Sequence, residues 1–269
     1  MDLSLHAHCL LFAQVVELNP ELRMAQLAWP AIRSLIGGGR RTAILVAASV
    51  EQHGPHLACE TDCWYGEEMA VRVAARLGDA LVAPVIRPGC SEHHMGFPGT
   101  FSIPPSLLVA LVKEHLRCLA ECGFTRVVFT SSHGGNFNPL HSALSELVDH
   151  CTKLGISLLP VLDLGAFIGA LTKAPLARGL DQGLPAVQAD LVETSIVLAL
   201  RPETAHMELA EPGYMGEFDL DDLFRLGLKR VTANGVLGDP TQASAELGGE
   251  IVSALEDYLY DAVKAGGLP

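Results

Sequence analysis

A carboxylate, an imidazole and a second carboxylate follow a strongly apolar segment of the chain. Glu51 and His53 lie two positions apart, and eight residues separate His53 from Asp62. In extended backbone, residues two apart project from the same face, so Glu51 and His53 can contact one metal centre. Mixed oxygen and nitrogen ligands of this kind suit Zn²⁺, Mn²⁺ or Fe²⁺. The segment therefore predicts a metal site.

Another ligand-type residue follows a second apolar segment. Residues 42–48 form the first apolar run and residues 126–130 form the second, which ends shortly before His133. Both runs are typical of buried strands. An open α/β sheet places its site at the carboxyl ends of its strands, so we expect His133 to lie close to Glu51. For either run alone, a polar strand exit without a site is the alternative.

The residues around His133 indicate where a substrate can approach the backbone. Gly134 and Gly135 leave backbone N–H groups free for an anion or a developing oxyanion, and Ser132 and Asn136 flank them. We take these four as candidate substrate-binding residues. A tight strand-to-helix turn is the alternative, and for the glycine pair alone we favour it.

Alternating apolar and amphipathic segments predict an α/β layer fold. The expected strands cover residues 42–48, 81–86, 126–130 and 156–162. The expected helices cover residues 24–36, 64–77, 104–123, 139–154 and 190–200, with a last helix capped by Thr241 and ending near residue 265. Residues 165–187 and 214–228 have weak periodicity and receive no element. We divide the chain into an N-terminal extension with a lead-in helix, residues 1–38, and a single domain, residues 39–269.

The amino-acid composition disfavours several classes of binding partner. With 18 basic and 31 acidic residues, the formal net charge is −13, which disfavours nucleic acid and anionic membrane surfaces. No apolar stretch approaches the roughly 20 residues that span a bilayer. The seven cysteines lack the spacing of a disulfide framework, which favours reduced thiols. We therefore expect a cytoplasmic protein that binds neither nucleic acid nor membrane.

Six motifs occur in a fixed order along the chain. They are EQHGPHL at residues 51–57, TD at 61–62, FPGT at 97–100, HGGN at 133–136, ETS at 193–195 and GVLGDPT at 235–241. Together they resemble the creatininase (creatinine amidohydrolase) family over residues 40–255. The resemblance implies a three-layer α/β/α fold with a mostly parallel central sheet. It also implies a homo-oligomer, often a hexamer, that hydrolyses C–N bonds of small amides with two divalent metal ions per subunit.

The resemblance also assigns residues. It implies five metal ligands: Glu51, His53, Asp62, His133 and Glu193. Asp62 would bridge the two ions, and Glu193 is the further ligand in members with two glycines after the histidine. Creatinine-hydrolysing members carry an acidic residue where this chain has Gly135. The chain therefore resembles the deformylase-like and mycofactocin-maturation branches more than creatininase itself.

A further departure from the family concerns proton transfer. Family members usually have a histidine five residues before the ligand glutamate, where this chain has Gln188. Glutamine can hydrogen-bond a substrate carbonyl but cannot shuttle a proton near neutral pH. Either another group takes that role, with His93, Glu92 and Asp190 as candidates, or the activity is weakened or altered.

These residues give an expected function. We expect Glu92 and His93 to face the pocket as catalytic residues, His94 to be an ordinary surface or helix histidine, and Tyr65 to be a core anchor. The expected activity is metal-dependent hydrolysis of a small cyclic amide, formamide or related C–N bond by an activated water. One alternative is a mycofactocin-type peptidase acting on a short peptide. The other is a non-hydrolytic metalloprotein that binds or isomerises a metabolite.

Overall fold

The structure is a computed structural model that describes residues 22–180, 182–183 and 188–267. Most of the predicted N-terminal extension lies outside the described residues. The lead-in helix is shorter than expected, since helix α1 covers Trp29–Gly37 and a separate 3₁₀ turn covers Met24–Gln26. Pro30 accounts for the later start, because proline fits the first turn of a helix but not its interior.

A parallel sheet forms the centre of the molecule. Within the described residues it has four strands: β1 Thr42–Ala47, β2 Ala80–Val82, β3 Arg126–Ser131 and β4 Ser157–Val161. Their order is β2-β1-β3-β4, and every neighbouring pair is parallel. Strand β1 is buried along its whole length, as expected for a parallel sheet covered on both faces. The predicted fold class is confirmed.

Helices form the layers on either side of the sheet. They are α2 Thr61–Leu77, α3 Pro105–Cys122, α4 Gly134–Ser142, α5 Leu144–Leu154, α6 Leu164–Ala177, α7 Leu191–Leu200, α8 Leu220–Leu226 and α9 Ala245–Ala265. Helix α9 packs against α2, α6 and α7, while α3, α4 and α5 pack together. In the part of the chain that is described, no helix combines the length and apolar character needed to cross a bilayer.

Three local predictions need correction. Strand β2 ends at Val82 rather than residue 86, an early end that the prolines of this segment indicate, because Pro84 has no N–H to donate to the sheet; Ile86 pairs with Ala47 only as an isolated bridge. The helix predicted over 139–154 is two helices that meet at Ala143. Helix α9 is capped by Ser244, whose hydroxyl accepts from the Leu247 N–H at 3.2 Å, whereas Thr241 bonds to Asp239 instead.

The sheet topology determines where a site can lie. From β1 the chain crosses to β2 on one side, and from β3 it crosses to β4 on the other side. The crevice outside the carboxyl ends of β1 and β3 is therefore the switch point at which doubly wound folds bind ligands. Glu51 and His53 follow β1, and His133 follows β3.

Candidate metal centre

The five predicted ligands converge at this crevice, and all are buried: Glu51, His53, Asp62, His133 and Glu193. The His133 Nδ1 atom lies 3.3 Å from Glu51 Oε2 and 3.3 Å from Asp62 Oδ2. The His53 Nε2 atom lies 3.4 Å from Asp62 Oδ1 and 3.5 Å from Glu193 Oε2. The two oxygens of Asp62 thus face different histidines, which is the arrangement that a bridging carboxylate requires.

Close packing of α2 against the end of β3 brings Asp62 to the centre. Asp62 lies in the first turn of α2, and the Ser132 hydroxyl donates to its backbone carbonyl at 2.8 Å. A Cβ atom on Gly66, one turn further along α2, would lie 2.4 Å from Ser132 Oγ. Only glycine therefore permits this approach of helix to strand exit.

A strained turn before α7 orients Glu193. Ala189 has φ +53°, a left-handed conformation that is uncommon for a residue with a Cβ atom. Its N–H donates to Glu193 Oε2 at 2.6 Å. Asp190 caps the helix by accepting from the Val192 and Glu193 N–H groups. The turn therefore fixes both the backbone and the carboxylate of Glu193.

Hydrogen bonds to the backbone fix which nitrogen of each histidine can bind a metal. His53 Nδ1 lies 3.0 Å from the Glu51 carbonyl, and because a carbonyl only accepts, Nδ1 carries the proton. His133 Nε2 lies 3.3 Å from the Cys90 carbonyl, which can only accept, and 3.2 Å from the Ser91 hydroxyl, which can also accept, so we assign its proton to Nε2. In the neutral rings, His53 Nε2 and His133 Nδ1 therefore present lone pairs to the carboxylates, as metal ligands do.

Unpartnered polar atoms at the centre show that a cation fits there. Among the described residues, the buried side-chain atoms without a hydrogen-bond partner are Glu51 Oε2, His53 Nε2, His56 Nδ1 and Asp62 Oδ2. Three of the four lie at the centre, and ligand atoms of Glu51, His53 and Asp62 all lie within 4.8 Å of one another. Burying unpaired carboxylates is costly unless a cation compensates them. The mixed oxygen and nitrogen donors suit Zn²⁺ or Mn²⁺.

Without a metal, protons supply the compensating charge. Burial alone would raise the pKa of Glu51, but the neighbouring histidines, His133 foremost, lower it well below its ordinary value. Burial lowers the pKa of His133, yet Glu51 and Asp62 raise it to about 10. Burial also lowers the pKa of His53. Glu193 and Asp62 outweigh this effect, so the pKa of His53 is raised well above its ordinary value. A metal must therefore displace protons from both imidazoles.

The centre opens into a small cavity with apolar walls. The cavity has a volume of about 100 Å³. One wall comes from α6, through Leu164, Phe167, Ile168 and Leu171, and the other from α8, through Leu223 and Phe224. A ligand that fits here combines a polar group at the carboxylates with a small, partly apolar body.

Four of the five candidate substrate-binding residues line this cavity, and one does not. Ser132, Gly134, Gly135 and Gln188 line the cavity, and the Gln188 side-chain N–H donates to the Gln52 carbonyl at 2.9 Å. Asn136 does not line it, contrary to expectation. Its amide oxygen accepts from the Cys90 N–H at 2.9 Å and its amide nitrogen donates to the Ala48 carbonyl at 3.0 Å. Asn136 thus holds the two strand exits together.

Of the three candidates for proton transfer, only His93 lines this cavity. His93 is buried and lines the cavity, and burial lowers its pKa to about 4, so the ring is neutral near pH 7. Glu92 is exposed and does not line this cavity, because in the 3₁₀ turn Glu92–His94 the two histidines face inward, but it does line an adjacent hollow that shares His93 with the cavity. Asp190 also lies outside the cavity lining, and its carboxylate caps α7. Burial, assisted by Glu193, raises the pKa of Asp190 to about 8.

Two residues at the centre were not predicted. His94 is only 2% exposed, and its Nε2 atom lies 3.3 Å from Glu51 Oε1, so the expectation of a surface histidine is wrong. Tyr65 lines the cavity and its hydroxyl donates to the Ser132 carbonyl. The position of Tyr65, three residues after Asp62 on α2, was an available signal, because such residues share a helix face.

Sequence comparison places the chain among known hydrolases. The family described as creatininase, creatinine amidohydrolase, matches residues 25–263. A mycofactocin precursor peptide peptidase of Mycobacterium tuberculosis is 32% identical over 80% of this chain and 81% of its own length. Creatinine amidohydrolase of Pseudomonas putida is 26% identical over 90% of this chain and 95% of its own length. A 3-dehydro-scyllo-inosose hydrolase of Thermotoga maritima is 28% identical, covering 84% and 80%.

Solved structures share the fold. A manganese creatininase superposes with a TM-score of 0.78 at 23% identity, covering 92% of this chain and 99% of the other. A creatininase variant of Zn-Zn type gives a TM-score of 0.74 at 24% identity, covering 92% and 99%. At these identities the likeness shows the fold alone, whereas the family match spans nearly all the described residues. The chain therefore belongs to the creatininase (creatinine amidohydrolase) family.

Proposed function

We propose that the protein hydrolyses an amide C–N bond at a centre that holds two divalent metal ions, Zn²⁺, Mn²⁺ or Fe²⁺. The observation that carries this proposal is the position of Asp62. One of its oxygens lies 3.4 Å from His53 Nε2 and the other lies 3.3 Å from His133 Nδ1. In the neutral rings both nitrogens present lone pairs to Asp62, so Asp62 can bridge two ions that displace the ring protons.

The ligands divide into two sets around Asp62. Glu51 Oε2 and Asp62 Oδ2 both approach His133 Nδ1, while Glu193 Oε2 and Asp62 Oδ1 both approach His53 Nε2. These residues would hold the ions, and a metal pair held there would supply an activated water and polarisation of a carbonyl, which is the chemistry that amide hydrolysis needs. Mn and Zn in the names of the structural neighbours support these metals as first candidates.

His93 is the proposed proton carrier. It lines the cavity, and its neutral ring can accept a proton from the attacking water and deliver it to the leaving nitrogen. Gln188 lines the same cavity but cannot perform this transfer, so we assign it to the substrate carbonyl. Gly134 and Gly135 line the cavity, and we assign their N–H groups to the stabilisation of a developing oxyanion.

A small amide is the proposed substrate class. The cavity of about 100 Å³ has apolar walls from α6 and α8, which suit a compact cyclic amide or formamide. A peptide is the second candidate, and a separate observation favours it. An adjacent hollow of about 500 Å³ shares Gly134, Gly135, His93 and Phe224 with the inner cavity and could accept a longer chain. The name of the mycobacterial relative points the same way.

The test is a substrate panel on metal-loaded protein. Zn²⁺-loaded and Mn²⁺-loaded samples are incubated with lactams, formamides and short peptides, and new amine groups are measured. Asp62→Asn is the control for contaminating activity. Release of amine from lactams or formamides supports the small-amide proposal, and release from peptides alone supports the peptidase.

A non-hydrolytic metalloprotein is the remaining candidate. Metal-loaded protein that releases no amine from any substrate would contradict the hydrolase proposal. Gln188→His then tests whether the missing histidine is responsible, because histidine restores the group that family members usually have. A gain of hydrolysis in that variant would locate the defect at this position. No gain would favour a protein that binds or isomerises a metabolite.

We also propose a cytoplasmic homo-oligomer, in which a hexamer is the expected size. Exposed apolar side chains support association, among them Trp29 at 65% and Phe101 at 68% exposure. Light scattering coupled to size exclusion measures the assembly. A monomer at micromolar concentration would contradict this part of the proposal.

A further inference from the structure

The side chain of Gln52 is fixed by backbone groups whose polarity cannot be reversed. Its amide oxygen accepts from the Gly54 N–H at 3.0 Å, and its amide nitrogen donates to the Gly235 carbonyl at 3.1 Å. An N–H can only donate and a carbonyl can only accept, so the oxygen and nitrogen of this amide are assigned without ambiguity. The amide nitrogen then has one hydrogen left.

That hydrogen determines the tautomer of His94. The Gln52 amide nitrogen lies 3.1 Å from His94 Nδ1, and an amide nitrogen cannot accept a hydrogen bond. His94 Nδ1 is therefore the acceptor, and the proton of the neutral ring is on Nε2. His94 Nε2 is the atom that lies 3.3 Å from Glu51 Oε1. The nitrogen nearest the metal centre thus carries a hydrogen rather than a lone pair.

His53 and His133 have the opposite arrangement. Their backbone partners hold the proton on the nitrogen that points away from the centre and leave the lone pair facing it. In His94 the nitrogen that faces the carboxylates carries the proton. In their neutral forms, His53 and His133 therefore have the ligand form, whereas His94 has the donor form.

We propose that His94 is a positioning residue, held by Gln52, that donates from Nε2 to Glu51 Oε1 and does not bind metal. This inference rests on the proposed function, because it concerns the centre that binds the ions. Glu51 Oε2, which has no hydrogen-bond partner, then remains available as the ligand atom. The donor to Oε1 holds the carboxylate in one orientation, so that Oε2 faces Asp62 and His133.

Packing around Gln52 makes this arrangement rigid. A Cβ atom on Gly235 would lie 2.0 Å from the Gln52 amide oxygen, so only glycine fits there. The Thr100 hydroxyl accepts from the Gln52 N–H at 3.1 Å and lies 3.4 Å from the His94 carbonyl, to which it donates. Both members of the pair are therefore held by their backbones as well as by their side chains.

The first experiment measures the tautomer in metal-free protein. Protein labelled with ¹⁵N in histidine is observed by NMR through the ring nitrogens, and His94→Gln identifies the signals of His94 by their loss. We expect a protonated Nε2 and an unprotonated Nδ1 for His94. An unprotonated Nε2 would overturn the proposal. This measurement needs no bound metal, so it stays decisive even if the protein proves not to be a metal-dependent hydrolase.

The second experiment counts imidazole ligands and measures metal affinity. X-ray absorption of Zn²⁺-loaded protein should give the same number of histidine ligands in wild type and in His94→Gln. A lower number in His94→Gln would show that His94 is a ligand and overturn the proposal. By chelator competition, His94→Leu should weaken Zn²⁺ binding about 10-fold to 100-fold, as loss of an orienting partner does.

Two further variants separate positioning from general damage to the fold. His94→Gln, which can still donate an N–H, should recover much of the affinity lost in His94→Leu. Gln52→Glu has the same size but replaces the donor with an acceptor, so it should move the His94 proton to Nδ1 and weaken Zn²⁺ binding about 10-fold to 100-fold. His115→Leu, on α3, is the matched control and should bind Zn²⁺ as wild type does. Equal affinity in wild type, His94→Leu and Gln52→Glu would contradict the proposal.

Discussion

Metal binding to the metal-free protein should release protons, and the structure allows them to be counted. Glu51 and Asp62 raise the pKa of His133 to about 10, against the effect of burial. His53 also has a raised pKa, because Glu193 and Asp62 outweigh its burial. The His133 ring therefore carries two protons at neutral pH in the absence of metal, and the raised pKa of His53 favours the same state. Each must lose one proton before its ring nitrogen can bind an ion.

The size of the pH effect on metal affinity follows from the linkage between metal binding and proton release. Filling both metal positions releases about two protons, one from His53 and one from His133. Each released proton changes the overall binding constant about 10-fold per pH unit, or about 1.4 kcal/mol. Lowering the pH from about 7.5 to about 6.5 should therefore weaken the binding of two ions about 100-fold, or about 2.7 kcal/mol.

Titration calorimetry in buffers of different ionisation enthalpy measures the proton count directly. We expect about two protons for two Zn²⁺ ions at about pH 7.5, because the pKa of His133 is raised to about 10 and that of His53 is raised well above its ordinary value. His133→Gln should release about one proton fewer, and His115→Gln, on α3, should match wild type. Release of no protons, or an affinity that does not change with pH, would refute the view that these two imidazoles balance the buried carboxylates.

Three further predictions concern single residues. Asp62→Asn should lose both ions and all amide hydrolysis while keeping the circular dichroism of wild type, and full metal content in this variant would show that Asp62 is not the bridge. A Cβ atom on Gly135 would lie 2.5 Å from His133 Nε2, whereas one on Gly134 meets nothing within 4 Å. Gly135→Ala should therefore reduce Zn²⁺ content and Gly134→Ala should not; equal loss would contradict this. Asp190→Ala should destabilise the protein by about 1 kcal/mol through loss of the helix cap, and Asp190→Asn should be near neutral in denaturant unfolding.

Features that depend on local pattern could be predicted from the sequence. The apolar runs of β1 and β3 end where the polar residues begin, and a parallel sheet brings those ends together. Glu51 and His133 were therefore expected to be close, and their side chains approach to 3.3 Å. Asp62 was expected from its motif, and α2 does carry it to the same place.

Features that depend on distant packing could not be predicted. Gln52 is held by Gly235, which lies 183 residues away in the sequence, and this contact fixes the proton position of His94. Residue type alone gave no reason to prefer His94 over Glu92, although the 3₁₀ turn directs the histidine inward and leaves the glutamate exposed. The neighbours of Asn136 predict a substrate-binding residue, yet its amide group forms hydrogen bonds with the backbone of two loops.

Two helices near the cavity also escaped prediction, for a reason that bears on function. Helix α6 has apolar residues around most of its circumference, so it lacks the polar face from which an amphipathic helix is identified. One part of that surface packs in the core, through Phe167 and Leu171, and another part lines the cavity. Helix α8 is a single short element of Leu220–Leu226 with too few residues to show a period. A helix that lines an apolar cavity and a helix that packs in the core thus have the same sequence pattern.

The charges at the centre favour the binding of divalent cations over a purely structural role for these side chains. Glu51, Asp62 and Glu193 place three carboxylates in one buried site, where hydrophobic residues of similar size would stabilise the fold as well or better. Two imidazolium ions leave one negative charge uncompensated. The proposed pair of divalent ions, with neutral imidazoles, would more than balance all three carboxylates, and the surplus positive charge would favour an anionic nucleophile or a developing oxyanion. The same arrangement that makes the metal-free centre costly would therefore favour metal binding, and the bound metal would supply the charge that the proposed hydrolysis uses.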